Sequence, residues 1–241
     1  MASSKKESTA APNANTVVRW LKSQGQKSTR DGMTRYGLPN DRAFGVPVGV
    51  MQREAKRIGR NQELAVALWH TGWYEARMMA AFVGDPTRLS AAQMDTWCRD
   101  FDNWGICDTH CFHLFDRTPY AWSRVKAWCR RPGEFEKRAG FALLASLALH
   151  DKEATDEPFL KALPIIEREA ADDRNFVKKG ISWALRLIGR RNIALNAQAV
   201  EVAKRLAASS QPGARWVGRD ALRELTSPAV IQRLARTKPS R

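Results

Sequence analysis

A motif that recurs about every 40 residues constrains the fold of this sequence more than any other feature. Each copy opens a helical segment with an aromatic residue and places a cation three residues later. The copies are Phe135 to Arg138, Phe176 to Lys179 and Trp216 to Arg219. A unit of this length accommodates two helices, which cannot bury their apolar faces alone and stack against neighbouring units. We therefore expect the three cations to form a stripe along one surface.

The remainder of the sequence, from about residue 47 onward, is typical of consecutive helices of about 10–16 residues. Turn signals separate these segments, and the pattern contains no convincing alternating strand. The signals include Gly59-Arg60-Asn61, Gly84-Asp85-Pro86 and Arg131-Pro132-Gly133. A period near 40 with two helices per unit matches HEAT or armadillo-type repeats, so the predicted fold class is all-α, a HEAT-like α-solenoid of paired antiparallel helices with a curved, basic concave surface.

Four segments of different character are expected along the chain. Residues 1–15 are small, polar and proline-containing, which predicts a disordered tail. Residues 16–45 are predicted to hold a short helix at Val17 to Ser23, then a connection containing Gly, Pro and Asn. The HEAT-like repeat domain is predicted over residues 46–236, and residues 237–241 are predicted to be a short basic tail.

The cations are concentrated in the last third of the chain. The formal net charge is +15, and residues 174–241 carry 15 Lys or Arg against three acids. Phosphate backbones favour a folded cationic surface through counterion release, so nucleic acid is the first partner to consider. A solubilising charge or an acidic membrane surface would not explain the repeated pattern.

The sequence contains no membrane-spanning or secretory signal that we recognise. No run approaches the roughly 18 apolar residues of a membrane span, and the first residues lack the apolar core of a signal peptide. We expect a cytoplasmic, monomeric protein without a membrane partner, associated with the nucleoid if the source is prokaryotic.

Four cysteines are scattered among apolar and aromatic residues, which favours reduced thiols over a disulfide scaffold. A crowded stretch invites a zinc interpretation, and its members are Cys107, His110, Cys111 and His113. Paired metal-binding knuckles are absent from it, so buried free cysteines are the favoured interpretation. With no nucleotide or redox motif evident either, no metal and no cofactor are predicted.

Residues 173–189 predict a helix with two contrasting faces, with Asp173 as a candidate N-cap and Gly189 as a C-terminal stop. One face is apolar and consists of Val177, Ile181, Ala184 and Ile188. The other face combines an indole with cations and consists of Lys179, Trp183, Arg186 and Arg190. Trp183 either packs against a neighbouring helix with cationic stems around it, or forms an aromatic platform in a basic cleft.

A second helix could carry chemistry. Asp102 or Asn103 can cap a helix that begins at Trp104, which places Asp108 one turn later on the same face. An isolated acid on a helix is usually a solvated surface group. Within a strongly basic cleft, however, a carboxylate weakens phosphate binding, so its presence suggests that Asp108 meets a positive charge on the substrate.

Four segments together resemble the DNA alkylation repair family, the AlkD-like glycosylases, in matching order over roughly residues 45–236. They are Trp69-His-Thr-Gly-Trp-Tyr-Glu-Ala-Arg77, Phe101-Asp-Asn-Trp-Gly-Ile-Cys-Asp108, Phe176-Val-Lys-Lys-Gly-Ile-Ser-Trp-Ala-Leu-Arg186 and Arg215-Trp-Val-Gly-Arg-Asp-Ala-Leu-Arg-Glu-Leu225. The resemblance implies a HEAT-like solenoid that releases cationic N3- and N7-alkylated purines from double-stranded DNA in base excision repair.

The resemblance also implies roles for particular residues. Asp108 matches the catalytic aspartate of the family, and Trp104 and Trp183 match the tryptophans that flank the lesion. Arg138 and Arg186 match basic positions that face the DNA backbone. With the cations singled out by the charge pattern, the residues expected to bind DNA are Arg138, Lys179, Arg186, Arg190, Arg215 and Arg219. Gly105 departs from the pattern, because several relatives carry an acid directly after the first tryptophan. The alternatives are a non-enzymatic DNA-binding HEAT protein and a protein-scaffolding HEAT array.

Overall fold

The computed structural model describes residues 13–236, which form two compact units divided between Asp85 and Pro86. Within the described residues the secondary structure is helical and contains no strand, so the all-α prediction is confirmed. The predicted domain 46–236 does not coincide with this division. Residues 1–12 of the predicted N-terminal tail, and the predicted basic tail 237–241, lie outside the described residues.

From residue 13 onward, the first unit contains five α-helices and a 3-10 turn at Met33–Tyr36. The helices are α1 (Ala14–Gln24), α2 (Lys27–Gly32), α3 (Val48–Ile58), α4 (Gln62–His70) and α5 (Tyr74–Val83). Helix α1 begins three residues before the predicted position because the Asn13 side chain accepts a hydrogen bond from Thr16 N and caps it there. Helix α2 and the 3-10 turn lie where the sequence analysis predicted only a connection.

A buried carboxylate organises the loop that precedes α3. Glu75, on α5, is 1% exposed and accepts hydrogen bonds from the backbone N–H groups of Phe44, Gly45 and Val46. Gly45 has a φ of 82°, and a Cβ there would lie 2.3 Å from the carbonyl oxygen of Gln26. This position therefore requires glycine, both for its left-handed conformation and for the close approach of the two backbones.

The second unit contains nine α-helices among its described residues and a 3-10 turn at Phe115–Arg117. The helices are α6 (Ala91–Arg99), α7 (Trp104–His113), α8 (Ala121–Trp128), α9 (Glu134–His150), α10 (Glu157–Glu169), α11 (Asn175–Gly189), α12 (Ile193–Ala207), α13 (Pro212–Leu225) and α14 (Pro228–Arg236). Helices α7, α9, α11 and α13 pack side by side in one row. Helix α8 packs on α9, α10 on α11, and α12 on α13, which is the predicted paired-helix repeat.

Glycine allows two of these helix pairs to approach closely. A Cβ at Gly140 of α9 would lie 2.5 Å from the backbone nitrogen of Cys129, directly after α8. A Cβ at Gly218 of α13 would lie 2.2 Å from the backbone nitrogen of Ala207, on α12. Because backbone atoms rather than flexible side chains occupy these spaces, the helices of each pair can approach this closely only with glycine at these positions.

The repeat motif is retained in the packing of α9 against α11 but is displaced in α13. The rings of Phe135 and Phe176 contact each other, with centroids 5.4 Å apart. Trp216 instead contacts Lys178 of α11, whose Nζ atom lies 5.8 Å from the centroid of the Trp216 ring. Residues of α11 pair with residues 38 positions later on α13, as Ser182 does with Asp220, so the third aromatic residue falls out of register.

The predicted apolar face of α11 is confirmed, since Val177, Ile181, Ala184 and Ile188 are all fully buried. The helix ends at Gly189 as predicted. The predicted N-cap is wrong: Arg174 occupies the cap position, and Asp173 pairs with Lys178 instead. No helix within residues 13–236 is long and apolar enough to cross a membrane.

Candidate functional site

The predicted catalytic carboxylate lies at the interface of α7 and α9. Asn103 caps α7 by accepting a hydrogen bond from Ile106 N, which confirms the predicted helix start at Trp104. Asp108, one turn further on, receives two hydrogen bonds from Arg138 of α9. Nε donates to Oδ1 over 2.9 Å, and Nη2 donates to Oδ2 over 2.7 Å. This bidentate pair holds the carboxylate in one orientation.

Arg138 also reaches a third helix. Its Nη1 donates to the backbone carbonyl of Phe176, on α11, over 2.7 Å. The Arg138 side chain is only 8% exposed, and that of Asp108 is 16% exposed. The prediction of a surface stripe is therefore wrong at Arg138, because its guanidinium is directed into the interface of α7, α9 and α11. Lys179 and Arg219, the other predicted members, are exposed.

Burial and charge act in opposite directions on this ion pair. Burial raises the pKa of the Asp108 carboxyl above its usual value, and the attraction and hydrogen bonds of Arg138 counter part of that rise. Burial lowers the pKa of Arg138, but the charge and hydrogen bonds of Asp108 more than compensate and raise it overall. Arg138 is thus the group that favours the ionised form of Asp108.

The two predicted tryptophans lie on different helices of the second unit. Trp104 is the first residue of α7 and is half-buried. Trp183 lies in the middle of α11, is also half-buried, and stacks on Phe112 of α7 with centroids 4.6 Å apart and an interplanar angle of 3°. One face of the Trp183 indole therefore packs on a neighbouring side chain.

Phe112 is a residue of this region that was not predicted from the sequence, although its spacing from Asp108 was a usable signal. It follows Asp108 by four positions and so lies on the same face of α7. The spacing predicts the shared face, but it carries no information about the contact with α11. Asp108, Phe112 and Trp183 thus belong to one continuous region of α7, α9 and α11.

Two acids of α13 offset part of the positive charge of α11, and the sequence analysis gave them no role. Glu224 accepts hydrogen bonds from Arg186 over 2.5 Å and from Arg190 over 3.2 Å. Asp220 lies 3.7 Å from Arg186. Arg215, another predicted DNA-binding residue, donates to the Ser209 carbonyl over 3.3 Å. Lys179 and Arg219 are therefore more accessible than the arginines of α11.

Three members of the crowded stretch, Cys107, His110 and Cys111, contact backbone carbonyl groups. All four cysteines of the chain are buried and free. The thiols of Cys107 and Cys111 donate to the carbonyls of Phe135 and Ala139, and His110 Nδ1 lies 2.9 Å from the carbonyl of Ile106. Within the part of the chain that the structure describes, no three His, Cys, Asp or Glu side chains are grouped as metal ligands.

The chain is similar to known proteins both in sequence and in fold. The model of a protein family described as DNA alkylation repair enzyme matches residues 17–225. A solved structure from a family of proteins related to the HEAT-like repeat DNA glycosylases, with affinity for branched DNA structures, has the same fold. The TM-score is 0.74, the sequences are 22% identical, and the match covers 89% of this chain and 96% of that chain. No curated protein gave a significant match.

Proposed function

Because the chain belongs to the DNA alkylation repair enzyme family, we propose that it is a monofunctional DNA glycosylase. It releases N3- and N7-alkylated purines from double-stranded DNA in base excision repair. The observation that supports this proposal most directly is the Asp108 carboxylate, which Arg138 holds in a fixed orientation at a partly exposed position. A fixed negative charge is what a developing sugar cation requires.

The chemistry requires little acid catalysis. Alkylation at N3 or N7 places a positive charge on the purine, so the base leaves without protonation as the glycosidic bond breaks toward an oxocarbenium-like sugar. Asp108 stabilises this cation and orients the attacking water. Trp104 and Trp183 present electron-rich ring faces, each contributing about 0.5–2 kcal/mol of cation–π attraction.

Arg138 acts as a positioning residue in this mechanism. Its guanidinium contacts Asp108 and the carbonyl of Phe176, and its attraction favours ionised Asp108. The backbone of the DNA is held by Lys179 and Arg219, which are the more accessible cations, together with Arg186, Arg190 and Arg215. Their contacts to phosphate carry no sequence information.

The test replaces Asp108 by Asn, which preserves shape and removes the negative charge. We expect Asp108→Asn to retain DNA affinity and to lose most release of N7-methylguanine from alkylated duplex DNA, measured by chromatography of the freed base. Asp173→Asn is the matched control, because Asp173 has a 59% exposed side chain and pairs only with Lys178 among the described residues. Undiminished release by a folded Asp108→Asn variant would remove Asp108 from the mechanism.

A second candidate function is DNA binding without excision, favoured by the same ion pair. Both carboxylate oxygens of Asp108 are engaged by Arg138, and one face of Trp183 is covered by Phe112. Wild-type protein that binds duplex or branched DNA but releases no base supports this candidate. Protein that neither binds nor releases supports the scaffolding alternative.

A further inference from the structure

A second polar cluster lies on the same helices as Asp108 and is not used by the mechanism above. Asp116, in the 3-10 turn after α7, has a side chain that is only 1% exposed. Its Oδ2 accepts hydrogen bonds from Ser146 Oγ and from His150 Nδ1, both over 2.6 Å. Ser146 and His150 both belong to α9. A buried carboxylate is unfavourable unless it is paired; His150 Nδ1 donates to Asp116, and Arg117 Nε lies 4.0 Å from its Oδ1.

This contact determines which nitrogen of His150 is available. Because Nδ1 donates its hydrogen to Asp116, the second nitrogen, Nε2, is the one left for another partner. Among residues 13–236, no side chain or backbone group forms a hydrogen bond with Nε2. The His150 side chain is 43% exposed and borders a cavity of about 520 Å³.

The charged groups around this cavity suit an anion. Two cations line it beside His150: Arg117, whose side chain is 50% exposed, and Lys152. The acids that line it are both engaged: Asp116 contacts His150, Ser146 and, over 4.0 Å, Arg117, and Asp151 accepts through its Oδ1 from the backbone nitrogen of Ala154. From α7, the ring of Phe112 meets His150 edge to face at 5.6 Å.

The position of the cavity relative to Asp108 distinguishes a binding role from a catalytic one. Arg138 and Ser146 mark the two clusters on α9 and lie two helical turns apart, roughly 12 Å. His150 is therefore too far from Asp108 to act on the same sugar. Because successive nucleotides of a duplex strand rise by about 3.4 Å, this separation suits a backbone phosphate a few nucleotides from the lesion.

We propose that the cavity between Arg117, His150 and Lys152 binds a backbone phosphate of the DNA, with His150 donating to it through Nε2 while Nδ1 donates to Asp116. The inference rests on the DNA binding in the proposed function, but it does not require excision.

The first experiment compares two substitutions of His150. Asn preserves a donor near Nδ1 and removes the Nε2 contact, whereas Gln keeps a donor near Nε2. Duplex affinity is measured by fluorescence anisotropy over a range of salt. We expect His150→Asn to bind about fivefold more weakly than wild type, and to reduce the salt slope by about one unit.

We expect His150→Gln to remain closer to wild type in affinity. His70→Asn is the matched control, since His70 is an exposed histidine in the first unit. Circular dichroism confirms that each variant is folded. If His150→Asn keeps the wild-type affinity and salt slope, the phosphate contact does not exist.

The second experiment removes the charge from the DNA instead. A set of duplexes carries one neutral methylphosphonate linkage each, at successive positions along a strand. At one of these positions, the neutral linkage is expected to weaken binding by the wild-type protein and to leave binding by His150→Asn unchanged. Equal losses in both proteins at every position overturn the proposal, as does wild-type protein that binds no DNA. Binding without base release contradicts the glycosylase proposal alone.

Discussion

At Asp108 two opposing effects act on a single carboxyl group. Burial between α7 and α9 raises its pKa, and Arg138 lowers it again through two hydrogen bonds and a direct charge interaction. A carboxylate that stabilises a sugar cation is useful only when it is ionised. The contribution of Arg138 is therefore to extend the pH range over which Asp108 carries its charge.

This role predicts the effect of Arg138→Gln on the pH profile. Removing the guanidinium leaves burial unopposed, so the pKa of Asp108 rises further. Because the active form is the deprotonated one, the acid limb of the excision profile moves to higher pH. The midpoint of this acid limb is measured from single-turnover release of N7-methylguanine across the pH range.

Arg205→Gln serves as the control, because Arg205 pairs with Glu167 and contacts no part of the Asp108 pair. Its profile should coincide with that of wild type. An unchanged midpoint in Arg138→Gln would show that Arg138 does not tune Asp108.

At the scale of the elements, ion pairs tie the loop before α11 to its neighbours. Asp172 accepts two hydrogen bonds from Arg174, and its Oδ2 lies 3.1 Å from Lys137 of α9. Lys137 in turn contacts Glu169 at the end of α10. These contacts join α9, α10 and the start of α11, which are the elements that position Arg138 against the Phe176 carbonyl.

The hydrogen bonds from Arg174 and Lys137 lower the pKa of Asp172 to about 2. A lowered pKa in the folded state stabilises the fold above the ordinary value of 3.8, and this stability is lost as the pH falls toward 2. We expect Asp172→Asn to reduce the free energy of unfolding by about 2 kcal/mol at neutral pH. Urea denaturation at neutral and acidic pH measures the difference, which should shrink as the pH falls.

Asp173→Asn is again the matched control, since Asp173 directly follows Asp172 and its own carboxylate is largely exposed. Only a small, salt-sensitive change is expected there. Equal effects of the two substitutions would contradict the assignment of Asp172 as the stabilising residue.

Close helix contacts make a separate prediction for glycine. Gly218→Ala places a methyl group against the backbone of α12, and we expect it to destabilise the second unit by about 1–3 kcal/mol. Gly180→Ala is the control: it is a buried helical glycine whose Cβ would make ordinary contacts, with Arg138 Cγ 3.5 Å away. Thermal unfolding should separate the two variants, and equal melting temperatures would argue against the close approach of α12 and α13.

At the scale of the whole molecule, net charge and accessible charge differ. The chain carries +15, but Arg138, Arg186 and Arg190 are engaged with carboxylates. Lys179 and Arg219 are exposed, and neither forms an ion pair within the described residues. The salt dependence of DNA binding should therefore report the accessible cations rather than the total charge.

We expect Lys179→Gln and Arg219→Gln each to weaken binding equally across DNA sequences and to lower the salt slope by about one unit. Anisotropy titrations over a range of salt measure the slope. Lys161→Gln is the control, because Lys161 pairs with Glu157 one turn away on α10. A slope that is unchanged in all three variants would remove Lys179 and Arg219 from the DNA interface.

The helical elements of this protein can be predicted from residues that are close together in the chain. The cap at Asn103, the stop at Gly189 and the buried face of α11 follow from residues a few positions apart, whose interactions form within one helix. The resemblance also selected Asp108 and Trp183 before any contact was known.

The contacts of these side chains depend on how the helices pack against one another. Arg138 follows Asp108 by 30 positions, and Phe112 and Trp183 come from different helices, so both contacts depend on how the helices are aligned. A shift of one residue in that alignment turns a side chain by about 100° around the helix. That is why the sequence pattern placed Arg138 on the surface, whereas the packing of α7, α9 and α11 buries it against Asp108.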